Sequence, residues 1–241
     1  MKIFKFIIFL LFFNLASCAN VQENSRVYDP FEPSNRAIFE FNDKFDSYIM
    51  QPIARTYIKL PELMRQGINN FFSNLGDFVS LINDILQLKP ERASNDVIRI
   101  ALNSTFGICG IFDIATALNI NKNNESFADT LGYWGVGSGA YLVIPFLGPS
   151  NFRDAPAMFF DSYINPVNEL ENVRVRNSLQ ATSLINMRAN LLKVSNLSDD
   201  VSFDPYIFQR DLYYQYRQNR IYDGDPPMES FDELNFDEIK E

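Results

Sequence analysis

The segment PELMRQGINNFFSNLGDFVSLINDILQL, residues 61–88, decides the fold class, because its apolar residues repeat with helical spacing. They alternate in steps of four and three, at Met64, Ile68, Phe71, Leu75, Phe78, Ile82 and Ile85. The opposite face is polar and holds Arg65, Asn69, Asn70, Ser73, Asn74, Asp77 and Asp84. Phe72, Val79 and Leu86 widen the apolar stripe to that of a helix packed on a core or lying against lipid. We predict a helix from about Pro61 to Leu88.

The remaining helices are predicted from similar spacing and from the prolines. Pro30 and Pro33 hold the backbone extended, and we expect Ser34 to cap a helix that Pro52 bends or ends. The apolar face of that helix carries Ile38, Phe41, Phe45, Tyr48 and Ile49. Further helices are predicted at about 94–106, 154–163, 171–194 and 206–220. Because few segments alternate with the two-residue period of strands, we predict an all-α protein.

The N-terminus has the pattern of a bacterial lipoprotein signal. Lys2 and Lys5 supply positive charge, residues 3–15 are mostly apolar, and small residues stand just before Cys18. An apolar segment this short, followed by small residues, is typical of a signal peptide rather than of a spanning helix. A cysteine at the cleavage point can carry a diacylglycerol, and two or three acyl chains give stable membrane anchoring.

We therefore predict a signal peptide over 1–17 and a lipidated tether over 18–27, attached through Cys18. The alternative is a plain secretory signal in which the cysteine occurs by chance. Ala19 follows the cysteine, and no aspartate stands there as an inner-membrane retention signal. By resemblance to other Gram-negative lipoproteins, this favours the periplasmic face of the outer membrane.

Composition excludes several classes of function. The formal net charge is −9, which argues against nucleic acid as a partner. Residues 223–241 hold eight acidic residues and one lysine, a pattern typical of a disordered tail. The chain has no histidine, so the commonest general base and metal ligand is missing, and we predict no metal and no cofactor. Apart from Cys18 the only cysteine is Cys109, which we expect to be a small buried residue.

The segment from Leu131 to Phe152 carries no charge. It would be long enough to span a membrane, but its glycines and prolines would leave backbone groups unpaired in hydrocarbon. These residues are Gly132, Gly135, Gly137, Gly139, Pro145, Gly148 and Pro149. Two interpretations stay open. One is a re-entrant or interfacial hairpin anchored at the water boundary by Tyr133, Trp134 and Tyr141; the other is a buried glycine-rich loop. The predicted lipid anchor favours membrane contact.

No catalytic motif is complete. The glycines at 135, 137 and 139 lack the preceding strand and the following helix of a dinucleotide-binding loop. Ser138 misses the spacing of a hydrolase nucleophile, and no histidine can complete a triad. We interpret Asp154 and Asp161 as structural caps and surface charges. We therefore predict that the protein is not an enzyme.

Several ordered motifs carry a resemblance to a known family. They include Asp29-Pro30-Phe31-Glu32-Pro33-Ser34-Asn35-Arg36, Phe39-Glu40-Phe41-Asn42, Thr130-Leu131-Gly132-Tyr133-Trp134-Gly135-Val136-Gly137, Leu147-Gly148-Pro149-Ser150 and Arg153-Asp154. Over roughly 28–222, this order resembles the MlaA (VacJ) family of outer-membrane lipoproteins. Two departures are visible: Ala128 stands where the family usually has glycine, and Ala140 where proline usually follows Gly139.

The resemblance implies a ring-like bundle of amphipathic helices, embedded in the inner leaflet of the outer membrane around an amphipathic channel. Such proteins take misplaced phospholipid from the outer leaflet and pass it to a soluble periplasmic carrier, often beside trimeric porins. The resemblance also implies that a helical lipid-channel domain over 28–222 follows the tether. The implied motif residues are Asp29, Pro30, Pro33, Asn35, Arg36, Phe41, Asn42, Arg153 and Asp154.

We assign the channel or gate to the glycine-rich hairpin. Its candidate residues are Gly132, Trp134, Gly135, Gly137, Gly139, Tyr141, Pro145 and Gly148. Stiffening Gly137 or Gly139 with proline is then expected to impair lipid clearance without loss of the protein. The competing class is a structural envelope lipoprotein, or scaffold, that binds a protein partner; phospholipid retained after gentle purification would separate the two. A periplasmic lipase is the weakest alternative.

Overall fold

The computed structural model describes residues 27–198 and 204–227, with the backbone alone over 193–198, and within these ranges the chain forms nine α-helices and one β-hairpin. The predicted signal peptide, Cys18 and the acidic tail beyond Pro227 lie outside them. The helices are α1 (Glu32–Phe45), α2 (Gln51–Tyr57), α3 (Glu62–Leu86), α4 (Pro90–Thr105), α5 (Ile114–Ala117), α6 (Phe127–Tyr133), α7 (Asp154–Ile164), α8 (Val173–Ser198) and α9 (Pro205–Ile221). A five-residue π-helical turn (Asp46–Met50) joins α1 to α2, and a short 3-10 helix (Pro166–Glu169) follows α7.

The predicted all-α class is confirmed. The helix expected from Pro61 to Leu88 is α3, and the four further predicted helices correspond to α4, α7, α8 and α9 with ends that differ by a few residues. Two short helices were not predicted. In α6, Ser126 and Asp129 cap each other's backbone in a reciprocal box, so local polar contacts rather than apolar spacing begin the helix.

The predicted cap of the first helix was wrong. Ser34 is not its cap, because α1 already begins at Glu32 and Pro33 fits the first turn, where a missing N–H costs nothing. Of the two outcomes predicted for Pro52, a bend or an end of the helix, the end does not occur. The π-helical turn precedes it, with the N–H of Gln51 bonded to the carbonyl of Asp46, and α2 continues to Tyr57. The chain from Glu32 to Tyr57 is therefore one continuous helical rod.

The elements follow one another in a closed circuit of contacts. The α1–π–α2 rod packs against strand β1 (Tyr141–Ile144) at one end and against α8 at the other. Strand β2 (Gly148–Asn151) contacts α9, α9 contacts α6, α6 contacts α3, and α3 contacts α8. The helices therefore form the ring-like bundle that the sequence resemblance implied.

The buried apolar residues form three small clusters rather than one core. Phe127, Ala128, Leu131 and Ala157 pack between α6 and α7. Ala54 packs with Ala189 and Leu192 between α2 and α8, and Tyr141 packs with Val143 and Tyr206 beside the hairpin. Among the described residues, buried polar and charged side chains outnumber buried apolar ones. A soluble domain shows the opposite balance.

The surface is correspondingly apolar. Leu63, Leu88, Phe106 and Phe159 are each at least 70% exposed. Cys109 is also exposed, in a turn with a left-handed backbone, so the expectation that it is buried was wrong. No helix in the described ranges combines the length and the hydropathy needed to cross a membrane.

Candidate functional site

Helices α3 and α4 face each other with their polar sides. We call the buried polar side chains that these two helices present to the protein interior the polar seam: Asn74, Asp77, Ser80, Asn83, Asp84 and Gln87 from α3 and its C-terminal end, and Asp96, Arg99 and Asn103 from α4. The apolar residues of both helices lie outside or at the margin of the seam. Ile85 is 56% exposed, Val97 51% and Ile98 44%. The predicted amphipathic stripe is present, but its polar side faces the protein interior.

Arg99 lies at the centre of the polar seam and is fully buried. Its Nε donates to Asp77 Oδ2 at 3.1 Å, and its Nη2 donates to both carboxylate oxygens of Asp113 at 3.2–3.3 Å. Its Nη1 donates to the carbonyl of Ile120 at 2.8 Å. Asp77 also forms an ion pair with Lys122. Buried charges are tolerable only when paired and hydrogen-bonded, and here each one has a partner.

A pair of carboxyl groups continues the polar seam. Asp84 and Asp96 are fully buried, and the Asn123 side-chain amide lies 3.4 Å from one and 3.5 Å from the other. Burial, and then the hydrogen bond with Asp84, raise the pKa of Asp96 to about 8. Burial also raises the pKa of Asp84. Two carboxylates so close cannot both ionise at neutral pH, so the pair shares a proton.

The hairpin is docked on α1 by asparagine side chains. Its strands pair in antiparallel register from Tyr141 opposite Asn151 to Ile144 opposite Gly148. Asn35, buried on α1, donates from Nδ2 to the carbonyl of Tyr141 at 3.1 Å and accepts from the N–H of Val143 at 2.9 Å. These are the backbone groups on the free edge of β1, so the amide takes the place of a third strand.

Asn42 repeats this arrangement two helical turns later. It donates to the carbonyl of Ile144 at 3.0 Å and accepts from the N–H of Phe146 at 2.8 Å. The Phe41 ring packs edge-to-face on Phe146, with 5.1 Å between ring centroids. Asn35 and Asn42, both singled out from the sequence, are the docking pair that attaches β1 and the turn after it to α1.

Asp29 and Arg36 connect α1 to α9. The Asp29 carboxylate accepts from the Tyr206 hydroxyl and from Asn35 Nδ2, the latter at 2.8 Å. Arg36 forms two hydrogen bonds to Asp204, at 3.2 and 2.8 Å, and lies 4.4 Å above the Tyr206 ring. The hydrogen bonds with Arg36 lower the pKa of Asp204, and those with Asp204 raise the pKa of Arg36. Pro30 and Pro33 are exposed at the start of this contact.

Asp154 is buried, so its interpretation as a surface charge was wrong. It accepts from Arg153 Nε at 2.7 Å and from the Tyr213 hydroxyl, and it lies 2.8 Å from Arg217 Nε. Burial and the Asp154 charge raise the pKa of Tyr213. The Arg153-Asp154 motif therefore attaches α7 to α9.

Asp161 serves as a cap, as predicted, but for a different helix. Its carboxylate accepts from the N–H of Phe127, the first residue of α6, at 2.9 and 3.1 Å, and from Asn83 at 3.2 Å. Burial raises its pKa to about 6. Asp154 and Asp161 therefore belong to different networks and form no acid–base pair.

Two arginines of this region were missed from the sequence. Arg217 and Arg220 lie 3.0 and 2.6 Å from the two carboxylate oxygens of Asp129, which begins α6. Tyr213, Arg217 and Arg220 have the spacing of one helix face, so a basic stripe on the predicted last helix was the available signal. Their acidic partners are distant in the sequence and carry no such signal.

The glycine-rich segment holds its candidate residues in different environments. Gly132 packs so closely that a Cβ would lie 2.5 Å from Ile221, whereas one at Gly137 would meet nothing within 4 Å. Gly139 has a φ of +68°, which proline cannot adopt, so proline at that position would prevent folding rather than test a gate. Gly135, Pro145 and Gly148 lie at the loop and tip, Gly135 and Pro145 exposed and Gly148 partly buried.

The aromatic residues predicted to anchor this segment also differ in exposure. Tyr133 and Trp134 are half exposed, and the indole N–H of Trp134 donates to the carbonyl of Leu86 at 3.2 Å. Tyr141 is fully buried against Tyr206, so its assignment to the water boundary was wrong. It alternates with Leu142 along β1, and its side chain faces the protein.

Fold and site together define a helical protein with a polar interior and an apolar outer surface. The family model for the MlaA lipoprotein matches residues 27–220. The chain therefore belongs to the MlaA family.

Individual relatives agree with this assignment. The intermembrane phospholipid transport system lipoprotein MlaA of Haemophilus influenzae is 31% identical over 239 residues, covering 94% of this chain and 93% of that protein. The Escherichia coli protein of the same name is 33% identical over 194 residues, covering 78% and 76%. An uncharacterized Rickettsia bellii protein is 34% identical over 211 residues, covering 87% and 83%.

A solved structure has the same fold. It is described as the structural basis for maintenance of bacterial outer membrane lipid asymmetry, and it matches with a TM-score of 0.71 at 32% identity. The match covers 80% of this chain and 98% of the other.

Proposed function

We propose that this chain is an outer-membrane lipoprotein that removes mislocalised phospholipid from the outer leaflet and passes it to a periplasmic carrier. It thereby maintains the lipid asymmetry of the outer membrane. The relatives from Haemophilus influenzae and Escherichia coli are named intermembrane phospholipid transport system lipoproteins, and the solved structure shares the fold over 80% of this chain.

The observation that carries the proposal is the reversed burial of α3 and α4. Their apolar side chains point outward, where acyl chains replace water and no hydrophobic cost arises. Their polar side chains point inward, where Arg99 and Asp77 are fully buried and paired with each other. This arrangement suits a conduit that keeps tails and headgroups in separate environments.

Insertion in one leaflet fits the same arrangement. Acyl chains on Cys18 would hold the bundle at the periplasmic face of the outer membrane, and the apolar helix faces would lie parallel to the membrane plane. Transfer of intact lipid breaks no bond, so the protein acts without a catalytic residue. A soluble periplasmic lipid carrier receives the phospholipid, and a trimeric porin is a candidate neighbour.

The decisive experiment measures phospholipid in the outer leaflet of cells that lack the protein. We expect an increase that the wild type reverses and Cys18→Ala does not, because the unlipidated variant is mislocalised. Cys109→Ala is the matched control, since it removes the other cysteine without touching the anchor. An unchanged outer leaflet in cells lacking the protein and any redundant pathway would refute the proposal and favour a structural role.

A further inference from the structure

A carboxylate of the chain's own C-terminal segment occupies a cationic site at the start of α4. The two oxygens of Asp223 lie 2.8 and 2.7 Å from Lys89 Nζ, and Arg92 Nη1 lies 2.5 Å from Oδ1. Arg92 also pairs with Glu125 at 3.0 Å. Lys89 and Arg92 therefore converge on one anionic group, and we call this arrangement the Asp223 site.

Asp223 occupies this position against its local preferences. It has a φ of +57°, in the left-handed region where helices usually end with glycine, and Gly224 follows it. The N–H of Gly224 bonds to the carbonyl of Asn219 at 2.7 Å, which closes the C-terminus of α9. A negative charge is unfavourable at a helix C-terminus. The two cations offset both penalties.

The first turn of α4 adds to the attraction for an anion. Its N-cap residue is Lys89, whose side chain provides no capping acceptor, and Pro90 begins the helix. The first N–H groups of a helix, together with its dipole, favour a negative charge at that end. Asp223 contacts the side chains of Lys89 and Arg92 at this end of α4, and Glu91 is a second acidic residue in the first turn.

The surroundings indicate which anion fits. The Lys89 ammonium lies 4.9 Å from the Tyr133 ring centroid, and Trp134 is 48% exposed beside it. Leu88, next to Lys89, is 86% exposed. Tyrosine and tryptophan beside an exposed leucine are typical of the membrane–water interface, where lipid phosphates lie.

We propose that Lys89 and Arg92 bind the phosphate group of a phospholipid, and that Asp223 fills this site when no lipid phosphate is present. The proposal deepens the proposed transport function, since it identifies a headgroup contact for the same cargo. The phosphodiester of a phospholipid has the same single negative charge as a carboxylate and two non-bridging oxygens, so it can accept the same charge-assisted hydrogen bonds from Lys89 and Arg92 in place of Asp223. Glu125 stays paired with Arg92 and limits the affinity.

Trp134 provides a reporter for the test, because it is the only tryptophan in the chain and its indole contacts Leu86, three residues before Lys89. Purified full-length protein in detergent is titrated with dihexanoylphosphatidylglycerol below its micelle concentration, and Trp134 fluorescence is recorded. Inorganic phosphate and dihexanoylglycerol are titrated in parallel. The first tests the free anion and the second tests the acyl chains without phosphate.

The expected result is saturable binding of the phospholipid that is about tenfold tighter in Asp223→Asn. Asparagine tolerates a left-handed backbone, so this variant keeps the helix end while the competing charge is lost. Lys89→Gln combined with Arg92→Gln is expected to abolish the phosphate-dependent part of the binding. Lys44→Gln, an exposed cation 4.0 Å from Glu40, is the matched control and is expected to bind as the wild type does.

Three results would overturn the proposal. They are equal affinity for dihexanoylglycerol, equal or tighter affinity for inorganic phosphate, and an Asp223→Asn affinity no higher than that of the wild type. Because these titrations use purified protein, they are independent of outer-leaflet clearance in cells. Any of these three titration results, together with normal clearance of outer-leaflet phospholipid in cells, would refute only this proposal. Absence of clearance by the wild type would refute the proposed function.

Discussion

The polar seam and the hairpin region differ in the kind of side chain that they bury. Between α3 and α4 the buried groups are charged, and Arg99 neutralises the carboxylates around it. Beside the hairpin, Tyr141, Val143 and Tyr206 form an apolar cluster, and the carboxylates of Asp29 and Asp154 accept hydrogen bonds from tyrosine hydroxyls at its margin. The first region is stabilised mainly by ion pairs, and the second combines apolar packing and asparagine hydrogen bonds with ion pairs at its margin.

The difference shows how a small helical protein can keep a polar interior without losing its fold. The apolar clusters are few and lie where the chain needs fixed geometry, at the hairpin, between α2 and α8, and between α6 and α7. The polar seam instead holds α3 and the segments around it together through buried ion pairs. Variants that affect one region and spare the other test this division.

The largest effect is expected from Arg99→Met. It leaves Asp77 and Asp113 buried without their shared cation, and breaking such a network costs about 3–5 kcal/mol. We expect loss of the cooperative unfolding transition, measured by circular dichroism in detergent, or a large fall in its midpoint.

The matched variant in the hairpin region is Tyr141→Phe. The Tyr141 hydroxyl is buried and has no hydrogen-bond partner in the described part of the chain. Its removal is expected to be neutral or mildly stabilising. Equal destabilisation by both variants would contradict the division between a charged and a packed region.

A smaller effect is expected from Asn35→Ala, which leaves the carbonyl of Tyr141 and the N–H of Val143 unpaired on the edge of β1. Each buried group left without a partner costs about 1–3 kcal/mol. We expect a lower unfolding midpoint and faster amide exchange in the hairpin. Ser34→Ala, at the exposed neighbouring position, is the control and should change neither measurement.

The polar seam also predicts a pH dependence with a definite sign. Because the folded-state pKa of Asp96 is raised to about 8 from 3.8, the folded state holds a proton that the unfolded state releases. This stabilisation is present at low pH and is lost as the pH rises through the window from about 4 to 8. For Asp96→Asn, we expect the unfolding midpoint to fall less steeply than that of the wild type as the pH rises from 5 to 9. A wild type and variant with parallel pH profiles would show that the pair shares no proton.

The smallest expected effect is a difference in stability between alanine variants of two glycines in the hairpin segment. Gly139→Ala places a side chain at a φ of +68° and 3.0 Å from Phe152 Cβ, which is expected to cost about 1–2 kcal/mol. Gly137→Ala meets nothing within 4 Å and is expected to change the midpoint by less than about 0.5 kcal/mol. The same pair sharpens the gate hypothesis, because impaired lipid clearance by the stable Gly137→Ala would indicate a need for flexibility there. Normal clearance by that variant would argue against a gate at this position.

Periodicity and proline positions were enough to predict the long helices, because each carries its signal in adjacent turns. They did not predict which face of α3 is buried, since a stripe of Ile and Phe looks the same against a protein core and against lipid. Motif residues such as Asn35 and Arg36 could be located by resemblance, but their partners Tyr141 and Asp204 are more than 100 positions away. Tyr141 and Asp154 were placed wrongly for this reason, because burial depends on contacts that no local pattern records.

The π-helical turn at Asp46–Met50 has a consequence for how the two sides of the ring are coupled. Before the turn, α1 presents Asn35 and Asn42 to the hairpin; after it, α2 presents Ala54 to α8. Each residue of an α-helix turns the side chains by about 100°, so deleting one residue here would rotate one contact face away from its partner. The five-residue turn thus determines how the contact face of α2 is rotated relative to that of α1, and with it how α8 is oriented relative to the hairpin.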